Sequence, residues 1–241
     1  MKNQDMVLIP GAWLGSWAWD KVNPLLSKNG FNPHPLTLSS MADRKHLISE
    51  NIGMETVIND VINYIEYSDL DQIVLVGHSF AGKVAAAVTD RIPDKISYTL
   101  YIDAFIPDDS TKPQGIFNPV EEYGKSELGL YGIKFSEKII EMIGRDVKGK
   151  DRELMLRKGT EWPLKLATDP VVLTGNYKKV KEAYIFCLLP EKGKSVEEIY
   201  KSIKGEIDTL RGKHRIMESG HWPMISKPDE LTKLMLELLA S

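Results

Sequence analysis

Cysteine is almost absent from this chain. Cys187 is the only one among 241 residues, so an intramolecular disulfide is impossible. Long apolar runs are missing as well. No stretch approaches the roughly 18 consecutive apolar residues that a membrane span requires. The opening residues, Met1 to Val7, are charged and polar before a short apolar run, and they lack the basic region, long apolar core and cleavage site of a signal peptide. Concentrated positive charge is scarce too. The Lys178–Lys181 stretch is short and is followed by Glu182, which reads as a solvated face, and the net charge is −3. Nucleic acid is therefore not an expected partner. These absences together predict a soluble, cytoplasmic protein with no membrane attachment. What is present is globular: 42% hydrophobic and 27% charged residues argue against disorder. The length suits one domain with a sizeable core.

Short apolar runs alternate with helical patterns. Met6 to Pro10 reads as a buried strand ending in Pro-Gly, and Phe31 to Leu38 as a poorer strand. Between them, Trp17 to Asn29 carries helical spacing. Met54 to Tyr67 is amphipathic, with Val57, Val61, Ile62 and Ile65 on one face. Gln72 to Val76 is rich in β-branched residues and reads as a buried parallel strand. Gly77 to Gly82 is a turn, Lys83 to Arg91 an Ala-rich helix and Ile96 to Ile102 another strand. This order predicts an α/β fold: a mostly parallel sheet with crossover helices on both faces. The pattern breaks at about 108–177, where Gly and Pro are scattered around two helix-like stretches near Phe135–Ile143 and Arg152–Arg157. That segment reads as a small helical cap inserted into a single domain spanning 1–241. Ala183 to Leu189 restores the strand pattern. A helix at Val196–Lys204, a strand at Lys213–Met217 and a closing helix at Pro228–Leu239 follow.

The most specific segment is Ile73-Val74-Leu75-Val76-Gly77-His78-Ser79-Phe80-Ala81-Gly82. It is an apolar strand, a tight turn centred on Ser79 and an Ala-rich helix. A nucleophile elbow needs that setting, with small residues two positions either side of the serine so that strand and helix can approach. Gly77 and Ala81 occupy those positions, alanine standing for the usual second glycine. A serine nucleophile also needs main-chain donors for a developing oxyanion. One is the amide of Phe80, at the helix start, where the first N–H groups lack partners. The other belongs to Pro10-Gly11-Ala12-Trp13 after the first strand, with Ala12 preferred and Trp13 second.

A general base is then required, and the chain has five histidines. His34 lies between prolines and reads as a loop residue. His46 and His214 have charged neighbours and read as exposed. His78 adjoins the serine in sequence and is expected to pack or hydrogen-bond behind the elbow. His221 remains, in Glu218-Ser219-Gly220-His221-Trp222-Pro223-Met224, between the last strand and the last helix.

Taken together, Ile9-Pro10-Gly11-Ala12-Trp13 with Trp17 and Trp19, Gly77-His78-Ser79, Tyr101-Ile102-Asp103 and Gly220-His221-Trp222-Pro223-Met224 resemble the α/β-hydrolase family. The resemblance is to small bacterial esterase-like hydrolases related to plant methyl-ester esterases and hydroxynitrile lyases. It implies cleavage of a small carboxylic ester through an acyl-enzyme, with Ser79 as nucleophile, His221 as base and no metal or organic cofactor. The early loop departs from the common His-Gly opening, because Pro10 stands where the histidine would be.

In this family the acid usually follows the strand placed here at Ala183–Leu189. That loop offers only Glu191, beside Lys192. The alternative is Asp103, at the end of the strand after the elbow helix and in an apolar run where a carboxylate needs a partner. Asp103 is the preferred acid, and Glu191 stays open. Trp13, Trp162 and Trp222 are expected to line the substrate pocket, with Phe117, Tyr123 and Tyr131 as further cap aromatics. Two competing readings share the scaffold. A hydroxynitrile-lyase-like enzyme is disfavoured because Trp222, not a lysine, follows His221. A ligand-binding or signalling protein could retain all three residues. The sequence also leaves a homodimer open.

Overall fold

The computed structural model describes residues 3–104 and 132–240. Among these, six strands form one parallel sheet in the order β2-β1-β3-β4-β7-β8. The strands are β1 (Gln4–Ile9), β2 (Phe31–Pro35), β3 (Ile73–His78), β4 (Ile96–Ile102), β7 (Lys181–Cys187) and β8 (Lys213–Met217). A separate antiparallel ribbon joins β5 (Gly132–Ile133) to β6 (Trp162–Pro163). The chain steps outward from β1 to β2, then returns to β3 and proceeds the other way. Its direction thus reverses between β1 and β3. In open α/β sheets, ligands bind beyond the carboxyl ends of the strands at such a reversal.

Burial follows composition. All six residues of β3 are buried, as a central parallel strand covered on both faces requires. The helix α3 (Ala81–Arg91) lies directly on it. A side chain at Gly77 would stand 2.6 Å from the Ala81 carbonyl oxygen and 2.9 Å from the Ala85 methyl. Glycine in the strand and alanines in the helix therefore let the two backbones approach. The amphipathic helix α2 (Met54–Tyr67) buries Met54, Val57, Ile58, Val61 and Ile65. The last helix, α9 (Pro228–Leu239), buries Leu231, Thr232, Met235 and Leu238.

Several expectations need correction. The helix expected over Trp17–Asn29 is divided into a 3-10 turn at Ser16–Trp19 and a short helix α1 (Asn23–Lys28). Pro24 is the reason. It lacks an N–H and its ring clashes with the preceding turn, so it sits in the first turn of α1 rather than mid-helix. The strand expected over Phe31–Leu38 ends at Pro35. Pro33 and Pro35 are tolerated because β2 is an edge strand, paired only with β1. His34 is thus a strand residue, hydrogen-bonded to Asp5 (2.8 Å) and Tyr64 (2.9 Å), not a loop residue. His214 is half-buried in β8, with Tyr200 Oη 3.2 Å from its Nε2. The elbow is tighter than the Gly77–Gly82 turn expected. β3 runs through His78 and α3 starts at Ala81, leaving two residues between them.

Between β4 and β7, the described chain forms the β5–β6 ribbon with three helices: α4 (Glu137–Ile143), α5 (Gly149–Lys158) and α6 (Leu164–Thr168). None of these elements joins the main sheet. Phe117, Tyr123 and Tyr131 lie outside the described residues. The remaining helices are α7 (Val196–Ile207) and the short α8 (Pro223–Ser226). Among the described residues, no helix is long and apolar enough to cross a membrane.

Candidate active site

Because the sheet strands are parallel, their carboxyl ends share one edge, and the candidate residues gather there. Ser79 follows β3 in the two-residue elbow with φ +58°, a left-handed conformation that a non-glycine residue holds only when the surrounding structure enforces it. Its amide donates to the Ile102 carbonyl on β4 at 3.2 Å, which pins the bend to the neighbouring strand. Asp103 follows β4, also left-handed at φ +42°, and its amide donates to Ile185 of β7 at 2.7 Å. His221 arrives from the loop after β8.

The three side chains form a continuous hydrogen-bonded chain. His221 Nε2 lies 2.8 Å from Ser79 Oγ, and His221 Nδ1 lies 2.5 Å from Asp103 Oδ2. An ionised carboxylate can only accept, so Nδ1 carries the proton and Nε2 presents its lone pair to the serine hydroxyl. The other oxygen, Asp103 Oδ1, accepts from the Cys187 amide at 3.1 Å. Both carboxylate oxygens are thus engaged, which fixes the plane of the group. Glu191 is elsewhere: it forms a two-residue bridge with Lys194, and its side chain is 57% exposed beside Lys192.

A cavity of about 350 Å³ opens onto Ser79 and His221. Its wall includes Ala12, Trp13, Phe80, Ile143, Trp162 and Phe186, so it is mostly apolar. Among the described residues, the amides of Ala12 and Phe80 donate to no acceptor. Both residues border this cavity, which leaves two main-chain donors beside the serine. Trp13 is left-handed at φ +68°, and the β5–β6 region holds it there. Its ring N–H donates to the Ile133 carbonyl at 2.9 Å, and its own carbonyl accepts from Thr160 at 3.0 Å. Trp162 packs edge-on against Trp13 and 5.1 Å from the Phe80 ring.

Trp222, expected in the pocket wall, is packed behind it. It is buried against Phe135, and a side chain at Gly144 would come within 2.3 Å of its ring. Some contributors escaped sequence reasoning. Ile143 and Phe186 line the cavity from a helix end and a strand whose facing no pattern specified. The Cys187 donor is a main-chain group, which no side-chain motif can reveal. His78 is fully buried next to this machinery. Its burial, and secondarily the neighbouring His221, hold its imidazole well below the usual histidine range. Among the described residues, no cluster of three or more His, Cys, Asp or Glu side chains could hold a metal ion.

Comparison with known proteins agrees with this architecture. A segment of 104 residues, 43% of this chain and 43% of the relative, is 41% identical to a carbendazim hydrolyzing esterase of Nocardioides sp. (strain SG-4G). Thus under half of that relative's length is spanned. Methylesterase 9 of Arabidopsis thaliana is 27% identical over 250 residues, covering 96% of both chains. Among solved structures, polyneuridine aldehyde esterase superposes with a TM-score of 0.78 at 24% identity, over 99% of this chain and 100% of that one. An extracellular alpha/beta-hydrolase from a Paenibacillus species gives a TM-score of 0.79 at 19% identity, over 98% of each chain. At such identities these two likenesses show the fold alone. The model of the alpha/beta hydrolase family matches residues 6–234, and this chain therefore belongs to that family.

Proposed function

We propose that the protein is a carboxylesterase that cleaves a small ester through a covalent acyl-serine, with Ser79 as nucleophile, His221 as general acid–base and Asp103 as the orienting acid. The observation that carries this reading is the unbroken Ser79–His221–Asp103 hydrogen-bonded chain at the mouth of a mainly apolar cavity. His221 Nε2 takes the hydroxyl proton as Ser79 Oγ attacks the ester carbonyl. The amides of Ala12 and Phe80 receive the oxyanion. His221, now an imidazolium facing Asp103, gives the proton to the departing alkoxide. Water, activated in turn by His221, releases the acid.

The esterases and methylesterases among its relatives support ester cleavage and make a small alcohol, methanol included, a natural leaving group to test. The segment of about 108–177 acts in this reading as a cap. Its described part supplies Ile143 and Trp162 to the cavity wall, which suits selection by apolar shape. Trp13 borders the acyl site directly.

The test combines labelling and turnover. A fluorophosphonate probe is expected to modify Ser79, as read by peptide mapping. A panel of p-nitrophenyl and methyl esters is expected to be hydrolysed, with Ser79→Ala lowering kcat on the order of 10⁴-fold or more. Tight ligand binding without turnover, or a probe adduct on another residue, would overturn the reading.

A further inference from the structure

His221 is held by more than its imidazole. Its main-chain N–H donates to the Ile143 carbonyl at 2.8 Å, at the end of α4. Its carbonyl oxygen accepts a bond of 2.6 Å from His78 Nε2. A carbonyl only accepts, so His78 must carry its proton on Nε2. The peptide of the candidate base is therefore suspended between the segment after β4 and the core of the sheet.

His78 adjoins the elbow, the histidine loop and the early loop. It precedes Ser79 in the elbow. Its ring lies 4.8 Å from that of His221, centre to centre. On its other side is the early loop: a side chain at Gly11 would stand 2.5 Å from His78 Nδ1. Gly11 directly precedes Ala12, the proposed oxyanion donor. Nδ1 itself is buried with no hydrogen-bond partner among the described residues. An unsatisfied buried nitrogen is costly and is uncommon in a position of no consequence. A leucine or methionine would fill the same space without that cost, but neither could donate to the His221 carbonyl.

We propose that His78 is a positioning residue: through its Nε2–H bond to the His221 carbonyl it sets the register of the His221 imidazole between Ser79 and Asp103. This rests on the serine-esterase reading for its catalytic consequence. Its neutrality suits the task. His221 becomes cationic during the proposed reaction, and a second cation 4.8 Å away would oppose that step. Burial, which keeps His78 uncharged, removes this opposition. The same side chain abuts Gly11, so the early loop and the histidine loop share one spacer.

Three variants of the full chain test this, with ¹⁵N-histidine NMR beside ester kinetics. His78→Met keeps bulk and removes the donor. His78→Gln places an amide N–H near the position of Nε2. His78→Asn places one nearer Nδ1. The wild type is expected to show His78 as the Nε2–H tautomer and neutral near neutral pH. His78→Met should lower kcat by about 10²-fold with KM little changed, since misplacement rather than lost binding is the defect. It should also weaken the His221 Nδ1–H resonance that reports the bond to Asp103. His78→Gln should restore both, and His78→Asn should not. Thermal unfolding identifies a variant that fails to fold, and His78→Asn then stands in for His78→Met.

Wild-type kcat and an unchanged Nδ1–H resonance in the donor-less variants would overturn the proposal, as would an Nδ1–H tautomer of His78 in the wild type. If the wild type hydrolyses no ester yet the NMR outcomes hold, His78 still positions His221 and the esterase reading alone falls.

Discussion

The turns after β4 and β7 leave the same edge of the sheet from adjacent strands, yet their acidic residues meet opposite surroundings. Asp103 stands directly at its strand end, held left-handed, with its amide tied to Ile185 and its side chain 24% exposed. Glu191 lies four residues beyond the end of β7, in a small exposed bridge beside Lys192 and Lys194. A carboxylate can orient a histidine only where the backbone delivers it, and Asp103 is fixed from the neighbouring strand by the Ile185 carbonyl, which accepts from its amide, and the Cys187 amide, which donates to its side chain. Which of the two carboxylates reaches His221 is therefore specified by sheet register more than by acidic character. β7 contributes a main-chain N–H from Cys187 to the carboxylate rather than supplying the carboxylate itself.

The sharpest way to break this contrast is Asp103→Asn. Asparagine tolerates the left-handed backbone, so the turn should persist. The amide would favour the wrong tautomer of His221, and kcat should fall by about 10⁴-fold with little change in Tm. A loss of folding instead of turnover would assign Asp103 a structural role.

A second carboxylate, Asp90 in α3, sharpens the contrast from the other end of β7. It accepts from the amides of Thr174 (2.7 Å) and Tyr177 (3.0 Å) in the turn that leads into the strand. Burial alone would raise its pKa, but these backbone donors outweigh it and hold its carboxyl below the ordinary value. A depressed carboxyl contributes stability that is present above the unfolded value and is lost as pH falls through the lowered one. Asp90→Asn should therefore cost about 1–2 kcal/mol in urea unfolding near neutral pH. It should also flatten stability against pH on the acid side and leave kcat intact. A drop in kcat matching that of Asp103→Asn would erase the distinction between the two.

The smallest expected effect is that of Glu191→Gln. An exposed ion pair contributes little, so turnover and Tm should stay within about twofold and a degree or so of the wild type. Loss confined to this variant would move the acid to the β7 turn and reverse the comparison.

The contrast also explains what could be read from sequence. The strands and amphipathic helices were legible because burial imposes a period, as in Ile73–Val76 and in Val57, Val61 and Ile65. The elbow was legible because close packing demands small residues at Gly77 and Ala81. Reading failed where one residue overrode a period, as Pro24 does in the divided helix. It also failed where function or packing rests on main-chain groups or on tertiary facing. The Cys187 amide, the inward aspect of Ile143 and the placement of Trp222 behind the wall belong to this kind. Between Asp103 and Glu191, sequence could rank but not decide, because the groups that hold Asp103 against His221, the Ile185 carbonyl and the Cys187 amide, lie on a different strand.

Trp13, Ser79 and Asp103 share one trait: each is a side-chain-bearing residue in a backbone region that favours glycine. Such conformations cost about 1–3 kcal/mol apiece. Glycine at any of these corners would ease the chain and delete the proposed nucleophile, its proposed acid or the tryptophan beside them. On the proposed reading, selection for robustness and selection for reactivity pull against each other at three separate points. Gains in heat tolerance should come from the helices and edge strands, while these bends resist improvement.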